Sequence, residues 1–519
     1  MIRTCLLAAG AGVVLAATPL AAQLPSDFDR TVTRTLAQFQ TPAVAVAIVK
    51  DGKIVLAKGY GTRAMGSKVP ADSHTRFGIA SNTKAFTALA LGLLVEEGKI
   101  KWDAPVTDYL PWFQMYDPWV TRELTVRDLL VHRSGLGLGA GDLLWWPPST
   151  YNRDTIARRL RFIPPARSFR SGYAYDNVLY LVAGQLIEAV SGQSWESFVT
   201  DRLIRPVGMM DATVNHSDAG DSTANQAATH AMVDGRMQQV PPFLSDNTNP
   251  AGGINASAED MAHWLIAQLD SGKVNGKRLW KPSTTRAQWS LVTPLNPGRA
   301  PASIAPRSTN FSGYGLGFFI QDYRGMKIVT HTGGLPGYLS RVIMIPDKRI
   351  GVAVLSNAES MAFEAIAWQA LDDVLGAPKF DWTAGYVALA ASNDSANAAA
   401  EHQAAVSRDS TAGPALPLPR YAGTYHDQWY GDVDVTNDHG KLVMQFSHTP
   451  SLLGDLVHWQ YETFLVRWRD RSLRADAFVT FSMDAEGHVD GARMVPASPA
   501  VDFSFDFQDL NLTRVKAEP

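Results

Sequence analysis

Cysteine is almost absent: the 519 residues hold one, at position 5. That thiol lies inside a leader-like N-terminal stretch. The rest of the chain can therefore form no disulfide, no thiolate nucleophile and no cysteine metal site. Strong charge of one sign is missing too. The formal net charge is −3 and no Lys/Arg run stands out, which argues against polyanion binding. Past the leader, no stretch reaches the about 20 apolar residues of a membrane-spanning helix. There is no Gly-x-Ser-x-Gly elbow, no His-Glu-x-x-His pair, no Gly-x-Gly-x-x-Gly and no Walker loop. Nucleophile-elbow, zinc-protease and nucleotide-binding readings thus have no anchor, and no cofactor or metal is called for.

What is present begins with the leader. Arg3 gives a positive start, residues 6–17 an apolar segment, and Ala21-Ala22-Gln23 a small-residue cleavage zone. Residues 1–22 read as a secretory signal, predicting a periplasmic or secreted bacterial protein. Aromatics are plentiful (14 Trp, 15 Tyr, 21 Phe), enough for large cores or a ligand cleft. A chain of this length predicts two domains.

Residues 26–40 have a short amphipathic pattern. Two apolar runs, 43–50 and 54–60, flank Asp51-Gly52 and predict a hairpin. Over 83–97 the pattern turns helical and apolar on nearly every side, as in a helix at the centre of a domain. Segments 314–320, 326–331, 339–345 and 350–356 read as strands, followed by a helix near 358–375. The early hairpin and late strands predict one mainly antiparallel sheet joined by the chain's two ends. Residues 385–418 are rich in Ala, Ser, Asn and Pro, suiting an Ala-rich helix or loose tether. Short alternating runs from Tyr421 onward predict a small antiparallel barrel or sandwich. The expected layout is leader 1–22, first domain 23–378, linker 379–419 and barrel domain 420–519.

Ser81-Asn82-Thr83-Lys84 puts a hydroxyl and an amine at i and i+3, on one helix face. A serine needs a neighbour to remove its proton, and burial lets a lysine do so by favouring the uncharged amine. By itself the pattern is weak. Its context, Phe77-Gly78-Ile79-Ala80, is small and apolar, unlike a solvated helix cap. Downstream, Tyr175-Asp176-Asn177 offers a phenol and an amide before an apolar helix, and His331-Thr332-Gly333-Gly334 follows a short strand.

These three motifs, in this order, resemble the penicillin-recognising serine hydrolases: class C β-lactamases, D,D-carboxypeptidases, D-aminopeptidases and related esterases. The resemblance extends over about residues 40–376. It implies a β-lactamase/transpeptidase-like α/β fold, an antiparallel sheet flanked by helices with a helical subdomain, here followed by a C-terminal lipocalin-like barrel. It also implies an acyl-enzyme on Ser81, with Lys84 as base or proton relay. Tyr175 would hydrogen-bond Ser81 and protonate the leaving group, and Asn177 would orient substrate and hold Lys84. His331, Thr332 and Gly333 would line the site, and the N–H groups of Ser81 and Gly334 would form the oxyanion hole. Many penicillin binders carry lysine where His331 stands. A neutral histidine grips a substrate carboxylate less firmly, which shifts weight toward peptidase, amidase or esterase work.

The layout also resembles the peptidases that cut linearised microcystin. The expected activity is that of a peptidase or amidase on short peptides with D- or non-proteinogenic residues. An esterase or β-lactamase using the same residues is one alternative, and a non-catalytic muropeptide or β-lactam receptor is another. The expected partner is a small peptide, amide or ester, with neither nucleic acid nor a membrane span in the mature chain. His132, Tyr173, Trp429 and Tyr430 are weighed mainly as structural residues, while for Trp145 and Trp146 a place in the cleft wall and a packing role stand equal.

Overall fold

The computed structural model describes residues 24–221 and 223–516. The leader and Cys5 lie outside the described residues. The first structural layer is an eight-stranded, wholly antiparallel sheet. The hairpin Ala43–Lys50 and Lys53–Gly61 turns at Asp51-Gly52, both residues having positive φ. Its first strand pairs with Ile350–Ser356, in register Val44 to Ser356. Tyr338–Ile345, Met326–Leu335, Phe319–Tyr323, Ser312–Tyr314 and Thr293–Leu295 then extend the sheet in that order. The two ends of the domain thus meet in one sheet.

The strands alternate between two cores. Val44, Val46 and Ile48 face Phe28–Gln38 and Ala362–Leu375, while Ala43, Ala45 and Ala47 face the helical side that carries the site. Residues 350–356 form a strand as expected and 339–345 begins one residue earlier, but the expected strand 314–320 instead spans the connection between Ser312–Tyr314 and Phe319–Tyr323. Notably, His331 to Gly334 lie within Met326–Leu335 and do not follow it. Beyond Thr330 the pairing to Phe319–Tyr323 has ended, so these residues keep a ladder only with Tyr338–Ile345.

Lys84–Glu96 is buried around its whole circumference from Lys84 to Leu94, and Phe86 stacks on Trp264 at 3.7 Å between centroids. It ends where Gly98 takes φ +70°. Residues 385–418 were expected to be helix or tether; Trp382–Val406 is a 25-residue helix, capped by Asp381. Alanine's high helix propensity accounts for the body of it. Its first turn is anchored, with Trp382 and Tyr386 packed into the core beside Trp368.

Gly423–Asp427 through Leu512–Arg514 form a closed eight-stranded barrel of sequential antiparallel strands, sealed by pairing of Tyr425 with Arg514. Trp429 and Tyr430 are buried, and their carbonyls accept hydrogen bonds from Arg159 and Tyr151, both at 2.5 Å. Arg474 pairs with Glu359 at 2.7 Å. The barrel is therefore bound to the helical side of the first domain by polar contacts as well as packing.

Candidate active site

Ser81 sits on the 3₁₀ turn Ala80–Thr83 that leads into Lys84–Glu96. The turn is held in an uncommon conformation: Ala80, the residue before the nucleophile, has φ +49°. For a residue with a Cβ this costs on the order of 1–3 kcal/mol and persists only where the surroundings enforce it. They do so through Ser340, whose hydroxyl donates to the Ile79 carbonyl (2.7 Å) and accepts from Asn82 Nδ2 (2.8 Å). Gly333 completes the clamp. A Cβ there would stand 2.2 Å from the Ile79 oxygen and 3.0 Å from Ala80 Cβ, so only glycine lets the strand come this close.

Lys84 Nζ lies 3.0 Å from Ser81 Oγ, 2.7 Å from Asn177 Oδ1 and 3.0 Å from the Ala251 carbonyl. The amine is fully buried. Desolvation, opposed by the carboxylates of Asp142 and Asp176, lowers its pKa to about 7. Asn177 occupies the N-cap position of Val178–Ser191 but does not cap it; its side chain turns into the site. There Nδ2 donates to Asp142 Oδ2 at 2.8 Å. Asp142 is buried and also accepts from Trp145 Nε1 (2.9 Å) and from Ser504 Oγ (2.8 Å) of the barrel. Burial pushes its pKa up to about 7, against the pull of these hydrogen bonds.

Tyr175 flanks the same amine, its ring centroid 4.9 Å from Lys84 Nζ. The phenol was expected to hydrogen-bond Ser81. Its hydroxyl is buried, which raises the phenol pKa, and lies close enough to Ser81 for that interaction to pull the pKa partly back down, although the two stop short of full hydrogen-bond geometry. The ring is fixed by aromatic neighbours, His132 at 4.2 Å and Phe503 at 6.1 Å between centroids. Burial holds its pKa well above the ordinary phenol value, so the group is protonated and able to donate. His132 accepts from the Asp176 N–H through Nδ1 (3.2 Å) and supports Tyr175 without touching Ser81.

His331 is enclosed. Its Nδ1 donates to the Thr332 carbonyl at 2.5 Å, which leaves Nε2 to accept from the Tyr314 hydroxyl at 2.8 Å. Burial and the nearby Lys84 lower its pKa to about 3, so the ring is neutral. Both nitrogens are occupied, leaving no free donor for a substrate carboxylate. Ser81, Tyr175, Asn177, His331, Thr332 and Gly334 all line one cavity of about 320 Å³, and Gly333 lies buried behind it. The Ser81 N–H belongs to the first turn of its 3₁₀ segment, where an N–H has no intrahelical acceptor.

Residues 28–376 match the Beta-lactamase family. The chain belongs to that family. As a beta-lactamase-family protein it is a serine hydrolase. Residues 407–514 match a domain of unknown function, DUF3471. The chain is 30% identical over 447 residues to the unguisins hydrolase ungD of Aspergillus violaceofuscus, covering 81% of this chain and 78% of that one. It is 25% identical over 347 residues to protein flp of Staphylococcus aureus strain MW2, covering 64% and 63% of the two chains. The octameric penicillin-binding protein homologue from Pyrococcus abyssi superposes with a TM-score of 0.57 at 21% identity, covering 94% of this chain and 99% of that one. SurE follows at 0.54 and 20%, covering 94% and 98%. These two likenesses show the fold.

Asp142, Ser504, Asp502 and Phe503 belong to the site and were not found from sequence. Asp142 follows a Gly-rich run that offers no hydrogen-bond pattern to read. The other three lie in a barrel loop more than three hundred residues from the first two motifs. Trp145 and Trp146, for which a cleft-wall role stood open, line the cavity, as does Tyr173, which was expected in the core. Among the described residues no cluster of three or more His, Cys, Asp or Glu could hold a metal ion, and no helix is long and apolar enough to cross a membrane.

Proposed function

We propose that this beta-lactamase-family serine hydrolase is an exported peptidase or amidase acting on short peptides through an acyl-enzyme. One observation carries the reading: an amine whose pKa is lowered to about 7 lies 3.0 Å from the Ser81 hydroxyl. In the proposed cycle, Ser81 Oγ attacks the substrate carbonyl carbon as its proton passes to neutral Lys84. The oxyanion is received by the N–H groups of Ser81 and Gly334. When the C–N bond breaks, the leaving amine takes a proton from Tyr175, and the Lys84 ammonium restores the phenol. Water then attacks the ester as Lys84 takes its proton, and the Lys84 ammonium returns that proton to Ser81 Oγ as the acyl C–O bond breaks and the acid product departs.

The enclosed, neutral His331 favours peptide and amide chemistry over recognition of the carboxylate that a penicillin carries. The relative named unguisins hydrolase supports a hydrolytic role on a specialised substrate. Linearised microcystin and peptides with D-residues are the substrates to try first, and the periplasm or medium is the place to look, from the leader-like residues 1–22. The test is mass spectrometry of such peptides incubated with recombinant enzyme and with Ser81→Ala. New fragments from the unmodified enzyme alone support the reading. Turnover of p-nitrophenyl esters or a chromogenic cephalosporin with every peptide intact would replace it with esterase or β-lactamase action.

A further inference from the structure

Next to the catalytic cavity, across Gly334, lies a second chamber of about 510 Å³. The two share Trp146, Gly334, Leu335 and Asp502 as a common wall. The second chamber lies between the domains. Val240, Phe243 and Pro336 come from the hydrolase side, and Pro450, Leu473 and Phe505 from the barrel. Its surface is mainly apolar. Trp146 stacks on Phe243 at 5.6 Å and meets Phe505 edge-on at 6.4 Å.

Three features define what such a chamber would accept. First, the only cation on its wall, Arg474, is bound by both oxygens of Glu359 at 2.7 and 2.8 Å. The other ionisable groups there, Asp470 and Asp502, are acids, so an anionic group would find no counter-ion. Second, the Trp146 indole N–H is buried and has no hydrogen-bond partner among the described residues. An orphan donor at the junction suits a carbonyl oxygen passing from one chamber to the other. Third, direction is set by Tyr175. The leaving group must lie beside this proton donor, which lines the catalytic cavity and not the second chamber. The second chamber therefore extends from the acyl side of the scissile bond.

We infer that the chamber is a specificity subsite, jointly built by the hydrolase domain and the barrel, for a large uncharged apolar side chain on the acyl side of a peptide substrate. The peptide carbonyl next to that residue accepts from Trp146 Nε1. This rests on the peptidase reading and names its substrate class: peptides with a bulky aromatic or aliphatic residue upstream of the cleaved bond.

The experiment compares acetyl-Phe-Ala-, acetyl-Gly-Ala- and acetyl-Glu-Ala-p-nitroanilide, each made with L- and with D-residues, on the full chain. The leaving group is constant, so differences report the acyl side. The Phe compound of the accepted stereochemical series is expected to exceed the Gly compound in kcat/KM by about tenfold or more, with the Glu compound lowest. Leu473→Trp, which fills the chamber from the barrel side, is expected to shrink the Phe-to-Gly ratio to about threefold or less. Because a ratio is read, a general loss of active protein does not alter it, and the three-substrate comparison in the unmodified enzyme needs no variant. Hydrolysis of the Phe and Gly compounds at equal kcat/KM overturns the subsite and leaves the peptidase reading standing. A Phe-to-Gly ratio unchanged in Leu473→Trp does the same. Failure to hydrolyse any of them, while Ser81 still reacts with a fluorophosphonate, overturns both.

Discussion

Ser504, in a loop of the C-terminal barrel, donates a 2.8 Å hydrogen bond to Asp142, a buried carboxylate two hydrogen bonds from the catalytic amine. Two residues further on, Asp506 accepts from the N–H groups of Gly141 and Leu143 at 2.7 and 2.9 Å and fixes the backbone on either side of Asp142. A continuous path of hydrogen bonds thus runs from the barrel through Asp142 and Asn177 to Lys84.

Ser504→Ala should therefore lower kcat by about tenfold, the cost of a lost hydrogen bond to a buried polar group, with KM changed little. Ser504→Thr, which keeps the hydroxyl, should recover most of the rate. Steady-state kinetics on one substrate check both. A Ser504→Ala enzyme with normal kcat would mean that the barrel contact has no effect on the amine.

The pH dependence follows from Lys84. The uncharged amine is the reactive form and its pKa is lowered to about 7, so acylation should fall as pH drops through 7, tenfold per unit below it. Asp176 and the ionised form of Asp142, whose own pKa is also about 7, hold the proton on Lys84. Asp142→Asn removes one of them and should move the acid limb to lower pH. Pre-steady-state acylation between pH 5 and 9 measures the limb; a midpoint shifted upward in Asp142→Asn would contradict the assignment.

His331 should leave that limb alone. Its pKa is lowered to about 3, and the ring stays neutral throughout the working range. His331→Gln is expected to reduce the rate, since the bonds to Tyr314 and the Thr332 carbonyl are disturbed, while the acid midpoint stays near 7. Disappearance of the limb in that variant would make His331 the titrating group.

Gly333→Ala should cost at least about a hundredfold in turnover. The added methyl would stand 2.2 Å from the Ile79 oxygen, and the strand cannot withdraw while paired to Tyr338–Ile345. Slower labelling of Ser81 with near-native circular dichroism is the expected pattern. Activity within threefold of normal would show that the nucleophile turn yields freely.

Much of this arrangement was legible in the sequence where the signal is local. Alternation around Asp51-Gly52 located the hairpin, and the short alternating runs after Tyr421 announced the barrel, whose strands include Lys441–Phe446, Thr463–Trp468 and Ala477–Met483. Ser81, Lys84, Tyr175 and Asn177 were legible because short spacings on helix starts fix their direction. What escaped was either too short or too distant. Thr293–Leu295 and Leu512–Arg514 are three-residue strands that no alternation can announce. The role of His331 depended on Tyr314, a partner across the sheet, and that of Asp142 on Ser504, 362 residues away. Such pairings are properties of the folded chain.

Reaction with a fluorophosphonate, followed by peptide mapping, tests most directly the claim that an uncharged Lys84 activates Ser81. Modification confined to Ser81 is expected, slowed by at least about a hundredfold in Lys84→Ala with the thermal transition still cooperative. Inactivation with Ser81 unmodified, or equal labelling rates with and without the Lys84 amine, would contradict it.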